Sequence, residues 1–145
     1  MTQPAKTPWH LWVVGVVSLL WNAMGAVDFT MTQLKNAAYL KGFNAEQLDY
    51  IYHLPLWVVA AWAIATWGSL VGSGLLLARQ GLALHAFAGS FAGMILTFVH
   101  NYLLTDWLGI MGQGAGPAIF SAVIMMICTL LVIYALKMRR RGVLR

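Results

Sequence analysis

The chain has 145 residues, of which 61% are hydrophobic and only 9% are charged, and its net charge is +5. Because a soluble domain carries about 25% charged residues, this composition excludes an ordinary water-soluble protein. The basic residues stand at the ends of apolar stretches rather than across a polar face, so the positive charge does not indicate a nucleic-acid-binding protein. At this length we expect one domain over residues 1–145.

Four apolar stretches occupy most of the sequence. A bilayer core about 30 Å thick is crossed by about 20 apolar helical residues, and each stretch is near or above that length. The predicted spans are roughly 9–29, 54–78, 82–104 and 117–136, with a periplasmic segment at 30–53 between the first two. The predicted fold class is therefore all-α, an integral membrane four-helix bundle.

The first span contains a polar stripe. Ser18, Asn22 and Gly25 are spaced four and three residues apart, so they share one helix face. An asparagine near the middle of the bilayer is typical of a hydrogen bond to another helix, and a contact between Asn22 and a substrate is the alternative. Asp28 lies one turn further out, where it is either hydrated at the periplasmic surface or a proton-carrying carboxylate.

The periplasmic segment is predicted to be partly helical. The first helix is expected to continue beyond the membrane and to stop at Gly42. Asn44 and Gln47 have the spacing of a capping box, which predicts a short interfacial helix through Tyr52. Aromatic residues near the outer boundary form the belt expected at a membrane interface: Tyr50, Tyr52, Trp57, Tyr102 and Trp107.

The second and third spans each carry two glycines four residues apart. The pairs are Gly68 with Gly72 and Gly89 with Gly93, and they lie at matching depth on either side of the turn 79–81. Glycines at this spacing share a helix face and allow two backbones to approach closely. The sequence therefore predicts a close contact between these spans, either within one chain or between two copies.

All four histidines lie in or beside the spans. At about 100° per residue, His85 and His100 are predicted to face the same way as the glycines of the third span, toward the bundle interior. His10 is expected at the depth of His85, and His53 at the depth of His100. Paired histidines on facing helices can hold haem, so these four residues are candidate ligands. The alternatives are hydrogen bonding, another metal, or proton handling by Asp28, His53 and His100; the expectation is no cofactor and no metal.

The loop 106–116 contains four glycines, which is typical of either a simple connector or a gate. Pro117 is expected to begin the last span, because proline is favoured in the first turn of a helix. Cys128 within that span is the lone cysteine, so we expect it to pack as a small hydrophobic residue.

The charges predict the orientation of the chain. Seven basic residues flank the spans on the side of the two chain ends, against two on the other side, where all four acids also lie. Short loops rich in lysine and arginine stay in the cytoplasm, so both termini are predicted to be cytoplasmic. The main topology anchors are Arg79, Lys137, Arg139, Arg140 and Arg141, and the three consecutive arginines are also a candidate site for anionic lipid.

The sequence contains no phosphate-binding loop, no zinc-ligand spacing and no carboxylate pair within one span, so it predicts a protein that is not an enzyme. The leading interpretation is a multi-pass membrane protein that acts as a small transporter or as a subunit of a membrane complex. One alternative is proton-linked transport of a small solute through a polar cavity near the periplasmic side. The candidate residues are Asn22, Asp28, His53, His100 and Asn101. The other alternative is an electron-transfer protein with haem on paired histidines.

Three segments resemble a family of small four-span inner-membrane proteins of proteobacteria that have no assigned activity. The segments are Leu20–Ala26, Ala60–Gly74 and Arg139–Arg145. Members of that family are often given the name sugar transporter by automatic naming. The resemblance implies a multi-pass protein of the bacterial inner membrane, and it supplies no catalytic or binding residue. The expected partners are the lipid bilayer and a second copy or another membrane protein, and not nucleic acid.

Overall fold

The protein, seen here in a computed structural model that describes residues 6–112 and 114–145, has four helices long and apolar enough to cross a membrane. These spanning helices are α1 (Trp9–Gln33), α4 (Leu56–Leu77), α5 (Leu82–Val99, continued by a π-helical turn at His100–Leu104) and α7 (Ala115–Arg140). Three short helices complete the fold: α2 (Ala37–Leu40), α3 (Ala45–Tyr52) and α6 (Trp107–Met111). The described residues contain no strand. The all-α four-helix membrane fold is confirmed.

The first helix does not continue to Gly42, so that expectation is wrong. The chain leaves α1 after Gln33 and turns at Lys35, whose φ of 51° is in the left-handed region. Asn36 then starts α2, because its side chain accepts a hydrogen bond from the backbone N–H of Tyr39 at 3.0 Å. This break turns Tyr39 back toward the last turns of α1, where its hydroxyl reaches Asp28.

The capping box that starts α3 is confirmed. The Asn44 side chain accepts from the Gln47 N–H at 2.9 Å, and the Gln47 side chain accepts from the Asn44 N–H at 3.1 Å. The Gln47 amide also donates to the backbone oxygens of Ile110 and Met111, both at 3.3 Å. Since Ile110 and Met111 belong to α6, this one side chain fastens the first connecting segment to the last.

The described part of the glycine-rich loop contains a helix that its composition does not predict. This helix, α6, is capped by Asp106, whose carboxylate accepts a hydrogen bond from the N–H of Gly109 at 3.1 Å. The last spanning helix then begins at Ala115, two residues before the predicted Pro117.

Helices α4 and α5 pack closely within one chain, and three of the four predicted glycines lie at their contact. A methyl group at Gly72 would collide with the ring of Phe87, and one at Gly93 would collide with the backbone of Ala61. Gly68 lies against Ser90, whose hydroxyl donates to the backbone oxygen of Ala65.

The fourth glycine departs from the prediction. Gly89 is exposed and has no neighbouring atom within 4 Å of the place where a methyl group would stand. The buried side of α5 is set by Ala83, Phe87 and Ser90. Gly89 therefore lies to one side of the contact, and its place is taken by Ser90, the next residue.

The end of the bundle that carries Thr7, the turn 79–81 and residues 139–145, here called the basic end, has a continuous apolar core. All four spanning helices contribute buried side chains to it: Leu11, Leu76, Ala83, Phe87, Leu131, Ala135 and Met138. Residues 142–145 fold back over this core. Arg145 pairs by two backbone hydrogen bonds with Arg79 and Gly81, and Val143 and Leu144 are buried.

The opposite end, here called the acidic end, carries Asp28, Glu46, Asp49 and Asp106 together with α2, α3 and α6. Both ends of the described chain therefore lie at the basic end, and all four carboxylate side chains lie toward the other.

Candidate ligand-binding cavity

Two adjoining cavities lie between the spanning helices, from the middle of the bundle to the acidic end. The loop-side cavity, of about 330 Å³, reaches Tyr50 of α3 and Trp107 of α6. The mid-bundle cavity, of about 340 Å³, reaches Asn22 of α1 and Ser69 of α4. Six residues line both: Asp28, Trp62, Ala65, Met94, Phe120 and Ile124. Each volume is at the lower end of the range of small-molecule sites, which is about 300–1,000 Å³.

Asp28 is the only charged residue in the described lining of either cavity. Its carboxylate accepts a hydrogen bond from the hydroxyl of Tyr39 at 2.6 Å. Within the described residues the only salt bridge joins His53 to Asp49, so Asp28 has no cationic side chain paired with it. A carboxylate without such a partner at the edge of an apolar cavity is a group that can bind a ligand's positive charge.

The hydrogen bond to Asp28 changes the acidity of the tyrosine. It raises the pKa of Tyr39 to about 12, and burial and the negative charge of the carboxylate act in the same direction. Tyr39 therefore remains a neutral hydrogen-bond donor to Asp28 throughout the physiological range of pH.

Several aromatic rings line the same cavities as the Asp28 carboxylate. Trp62 lines both cavities and meets Phe29 edge to face, with ring centroids 5.1 Å apart. Trp21 and Phe120 form a second pair at 6.4 Å on the mid-bundle side. The faces of such rings attract cations, so the rings and the carboxylate act in the same direction.

A polar cluster forms one wall of the loop-side cavity. Tyr50 donates from its hydroxyl to the side-chain oxygen of Asn101 at 2.8 Å, and the Nδ1 atom of His100 lies 3.2 Å from the same oxygen. Trp57 meets the buried His100 ring edge-on at 5.5 Å. Burial raises the pKa of Tyr50, so its hydroxyl also stays protonated. Asn101 and Tyr50 line the cavity, whereas His100 stands behind Asn101.

Asn22 is held by another helix, as the structural interpretation of this residue predicts. Its amide donates to the hydroxyl of Ser73 at 2.9 Å and to the backbone oxygen of Ser69 at 3.2 Å. Ser73 in turn donates to the same backbone oxygen of Ser69 at 3.0 Å. Because Asn22 also borders the mid-bundle cavity, it is both a tie between α1 and α4 and part of the lining.

The histidines do not lie in facing pairs. His53 ends α3, and its exposed ring contacts Asp49 at 3.1 Å, outside the cavity lining. His85, predicted to face the interior, is exposed, because it follows buried Ala83 by two residues and so points about 200° away from it. The described residues contain no group of three or more histidine, cysteine or acidic side chains placed to hold a metal ion.

At the basic end His10 and His85 contact different faces of α7. The His10 ring lies 2.6 Å from the hydroxyl of Tyr134, whereas His85 lies 3.5 Å from Arg139. Positions five residues apart on a helix are separated by about 140°, so the two rings do not share a space in which a macrocycle would lie.

The structure thus brings Asp28 and Asn101 to one cavity, with His100 behind them and His53 elsewhere. Sequence reasoning missed Tyr39 as the partner of Asp28, because it placed Tyr39 on a continuous helix about 16 Å further along the axis. It assigned Tyr50 and Tyr102 only to the interfacial belt. Trp62 lies in an almost continuously apolar helix, so nothing in the sequence of α4 indicated that it would line two cavities.

No family model, no curated protein and no solved structure matches this chain. The class is therefore defined by the fold and the cavity alone: a multi-pass all-α membrane protein whose four spanning helices enclose space for a small molecule.

Proposed function

We propose that this protein binds a small amphipathic organic cation between its spanning helices and acts as a small transporter in the bacterial inner membrane. The observation that carries the proposal is Asp28, the single charged residue in the described lining of two adjoining cavities. A cationic group would pair with this carboxylate, and the apolar body of the molecule would fill the space among the aromatic rings.

The surroundings of Asp28 favour a cation over a neutral ligand. The carboxylate has a hydrogen bond from Tyr39 and no positive side chain paired with it in the described chain, so its charge is only partly compensated. Opposite charges in a partly dry site attract each other more strongly than they do in water. The ring faces of Trp62 and Phe120 would add cation–π attraction.

The rest of the lining favours an apolar molecule over a sugar. Buried hydroxyl groups need hydrogen-bond partners, because an unpaired one costs about 1–3 kcal/mol. A sugar presents several hydroxyls, whereas the exposed surface of both cavities is mostly apolar and includes side chains such as Met94 and Ile124. Polar side chains of the loop-side cavity, among them Asn101, Ser121 and Thr32, could orient a polar group of the ligand.

A single carboxylate also explains how a proton gradient would drive such a transporter. Asp28 can carry either a proton or the organic cation, so the two compete for it. Exchange of one for the other across the membrane would couple their movements. With the basic end in the cytoplasm, as the arginine and lysine distribution favours, Asp28 would load from the periplasmic side.

Equilibrium binding of benzyltrimethylammonium tests the proposal. The protein in mild detergent is titrated at pH 7.5 by isothermal calorimetry, and Asp28→Asn is compared with Asp49→Asn. Asp49 gives a matched control because it is an exposed carboxylate at the same end and outside both cavity linings. We expect Asp28→Asn to weaken binding about tenfold or more, equal to about 1.4 kcal/mol, and Asp49→Asn to leave it unchanged.

Two results would contradict the proposal. One is the absence of binding by the folded wild-type protein. The other is an equal affinity of the wild-type and Asp28→Asn proteins, which would show that the carboxylate does not contact the cation.

A further inference from the structure

A second space, a groove between α5 and α7, faces the lipid beside the loop-side cavity. Its volume is about 500 Å³, and its lining is almost wholly apolar, including Ala118, Ala122, Met126 and Leu130 of α7. Met126 and Leu130 are exposed, so the groove opens on the surface that meets acyl chains. Of the four spanning helices, α7 is the least buried, which leaves its side of the bundle the least enclosed.

Two rings form the wall between this groove and the loop-side cavity. Phe98 and Tyr102 line both spaces. The rings are stacked, with centroids 4.6 Å apart and planes 25° from parallel. The same two side chains therefore border both spaces and separate the groove from the cavity at this point.

The hydroxyl of Tyr102 makes no hydrogen bond with the described residues in the observed position of the ring. Its hydroxyl is buried and has no partner within the described chain. Nearly all buried polar groups in proteins are paired, so an unpaired hydroxyl favours any position of the ring in which it finds a partner. Water or the polar group of a ligand would satisfy it if the stack opened.

The backbone under Tyr102 is also irregular. Tyr102 lies in the π-helical turn at His100–Leu104, where the regular ladder of α5 is interrupted. At this interruption the hydroxyl of Thr105 donates a hydrogen bond to the backbone oxygen of His100. Such turns are frequent at functional sites, and here the turn contains Tyr102, one of the two rings of the wall.

We infer that the Phe98–Tyr102 stack is a lateral gate, through which an amphipathic molecule dissolved in the bilayer passes from the groove into the loop-side cavity. The identity of the molecule as a cation rests on the proposed function, whereas the route does not. This route also restricts the ligand. The molecule must partition into lipid before it meets Asp28, and its polar group must pass the hydroxyl of Tyr102.

Chemical labelling of a cavity position tests the route without any cation binding. Met94 lines both cavities, so Met94→Cys in a Cys128→Ser background places one thiol behind the gate. The protein in phosphatidylcholine vesicles is treated with lipid-soluble N-phenylmaleimide or with a permanently charged aqueous methanethiosulfonate. Ala122→Trp fills the groove, and Ile119→Trp, at an exposed position of α7 outside the groove lining, is the matched control.

We expect Ala122→Trp to slow labelling by N-phenylmaleimide about tenfold and Ile119→Trp to leave it unchanged. The charged reagent should react equally with both, since it can reach the thiol only from water. Tyr102→Ala, which removes part of the wall, should speed labelling by the lipid-soluble reagent. Because Tyr102→Ala should raise the labelling rate whereas Ala122→Trp should lower it, the gate can still be tested if Ala122→Trp fails to fold.

The gate is contradicted if N-phenylmaleimide labels the two tryptophan variants at the same rate and Tyr102→Ala does not speed it. A thiol at position 94 that the lipid-soluble reagent never reaches would also overturn it. Failure of Asp28 to bind a cation would leave this labelling pattern in place, so the two proposals fail separately.

Discussion

The two ends of the bundle are held together in different ways. At the basic end, side chains from all four spanning helices form one apolar core, in which Leu11, Leu76 and Ala135 are fully buried. At the acidic end the same helices leave two cavities, and hydrogen bonds such as Tyr39–Asp28 and Tyr50–Asn101 join the segments. The basic end therefore has a filled core, whereas the acidic end has the space in which the proposed ligand would lie.

We expect truncation of buried side chains to lower the stability of the protein far more at the basic end than beside the cavities. Leu76→Ala should destabilise the protein by about 2–5 kcal/mol, because it opens a void in a filled core. Ile124→Ala should cost less than half as much, because Ile124 already borders both cavities. Unfolding in mixed detergent micelles, followed by circular dichroism, measures both values. Equal losses would show that the two ends are packed alike.

The α4–α5 contact joins the two ends. Of the two glycines of α5, only Gly93 should lower the stability of the protein when it is replaced by a larger residue. Gly93→Leu should destabilise the protein by about 1–3 kcal/mol or more, because its side chain would collide with the backbone of α4. Gly89→Leu should be neutral or slightly stabilising, because it meets no atom and leucine favours helix over glycine. The same unfolding assay compares them. A reversed order would place Gly89, rather than Gly93, at the contact.

Asn22 marks the boundary between the packed and the open region. Asn22→Leu removes hydrogen bonds to Ser73 and Ser69, and should cost about 1 kcal/mol or less, as is usual for such bonds between membrane helices. Ser18→Ala is the control, because the Ser18 hydroxyl donates only within its own helix, to Gly15. If Asn22→Leu lowers the free energy of unfolding no more than Ser18→Ala does, the hydrogen bonds of Asn22 do not stabilise the packing of α1 on α4.

The smallest expected effect concerns the tyrosine beside Asp28. Since the pKa of Tyr39 is about 12 in the folded protein and about 10 in an unfolded chain, folding favours the neutral phenol. This contribution to stability is complete below about pH 10 and is lost as the pH rises through about 12; solvent exposure of Tyr39 keeps it small. In Asp28→Asn the titration of Tyr39 should move down toward pH 10.

Absorbance of tyrosinate near 295 nm, taken as the difference between each protein and its Tyr39→Phe counterpart, isolates this titration. An unchanged midpoint in Asp28→Asn would mean that Tyr39 and Asp28 are not paired in solution. Measurement of the starting protein and the variant in the same detergent removes any common effect of the medium.

Much of the fold follows from the sequence, because helix length and capping are local properties. The four spans and the capping box at Asn44 and Gln47 depend on composition and on residues three apart, and both are found. The end of α1 was predicted incorrectly, because helical spacing continues through the segment while Lys35 adopts a left-handed turn and Asn36 caps a new helix.

The candidate site could be predicted only in part. Asp28 and Asn101 are conspicuous as polar residues at the ends of apolar stretches, and both line the loop-side cavity. Their partners Tyr39 and Tyr50 come from other helices, so no spacing along the chain signals them. His85 was given the wrong face: it was aligned with both Gly89 and Gly93, of which Gly89 is not at the helix contact.

The cavities themselves have no local signature. Side chains of α1 and α7 meet at His10 and Tyr134, whereas Asn22 of α1 and Ile124 of α7 both line the mid-bundle cavity. Such a difference depends on how four helices pack together, and helix periodicity does not determine it.

The central claim, that charge holds a ligand at the acidic end, is tested most directly by two probes of the same shape. Benzyltrimethylammonium and neopentylbenzene differ in the positive charge and little else, and the affinity of the wild-type protein is measured for both. We expect the cation to bind about tenfold more tightly or better, and expect this preference to disappear in Asp28→Asn. Equal affinities for the two probes in the wild-type protein would contradict the claim.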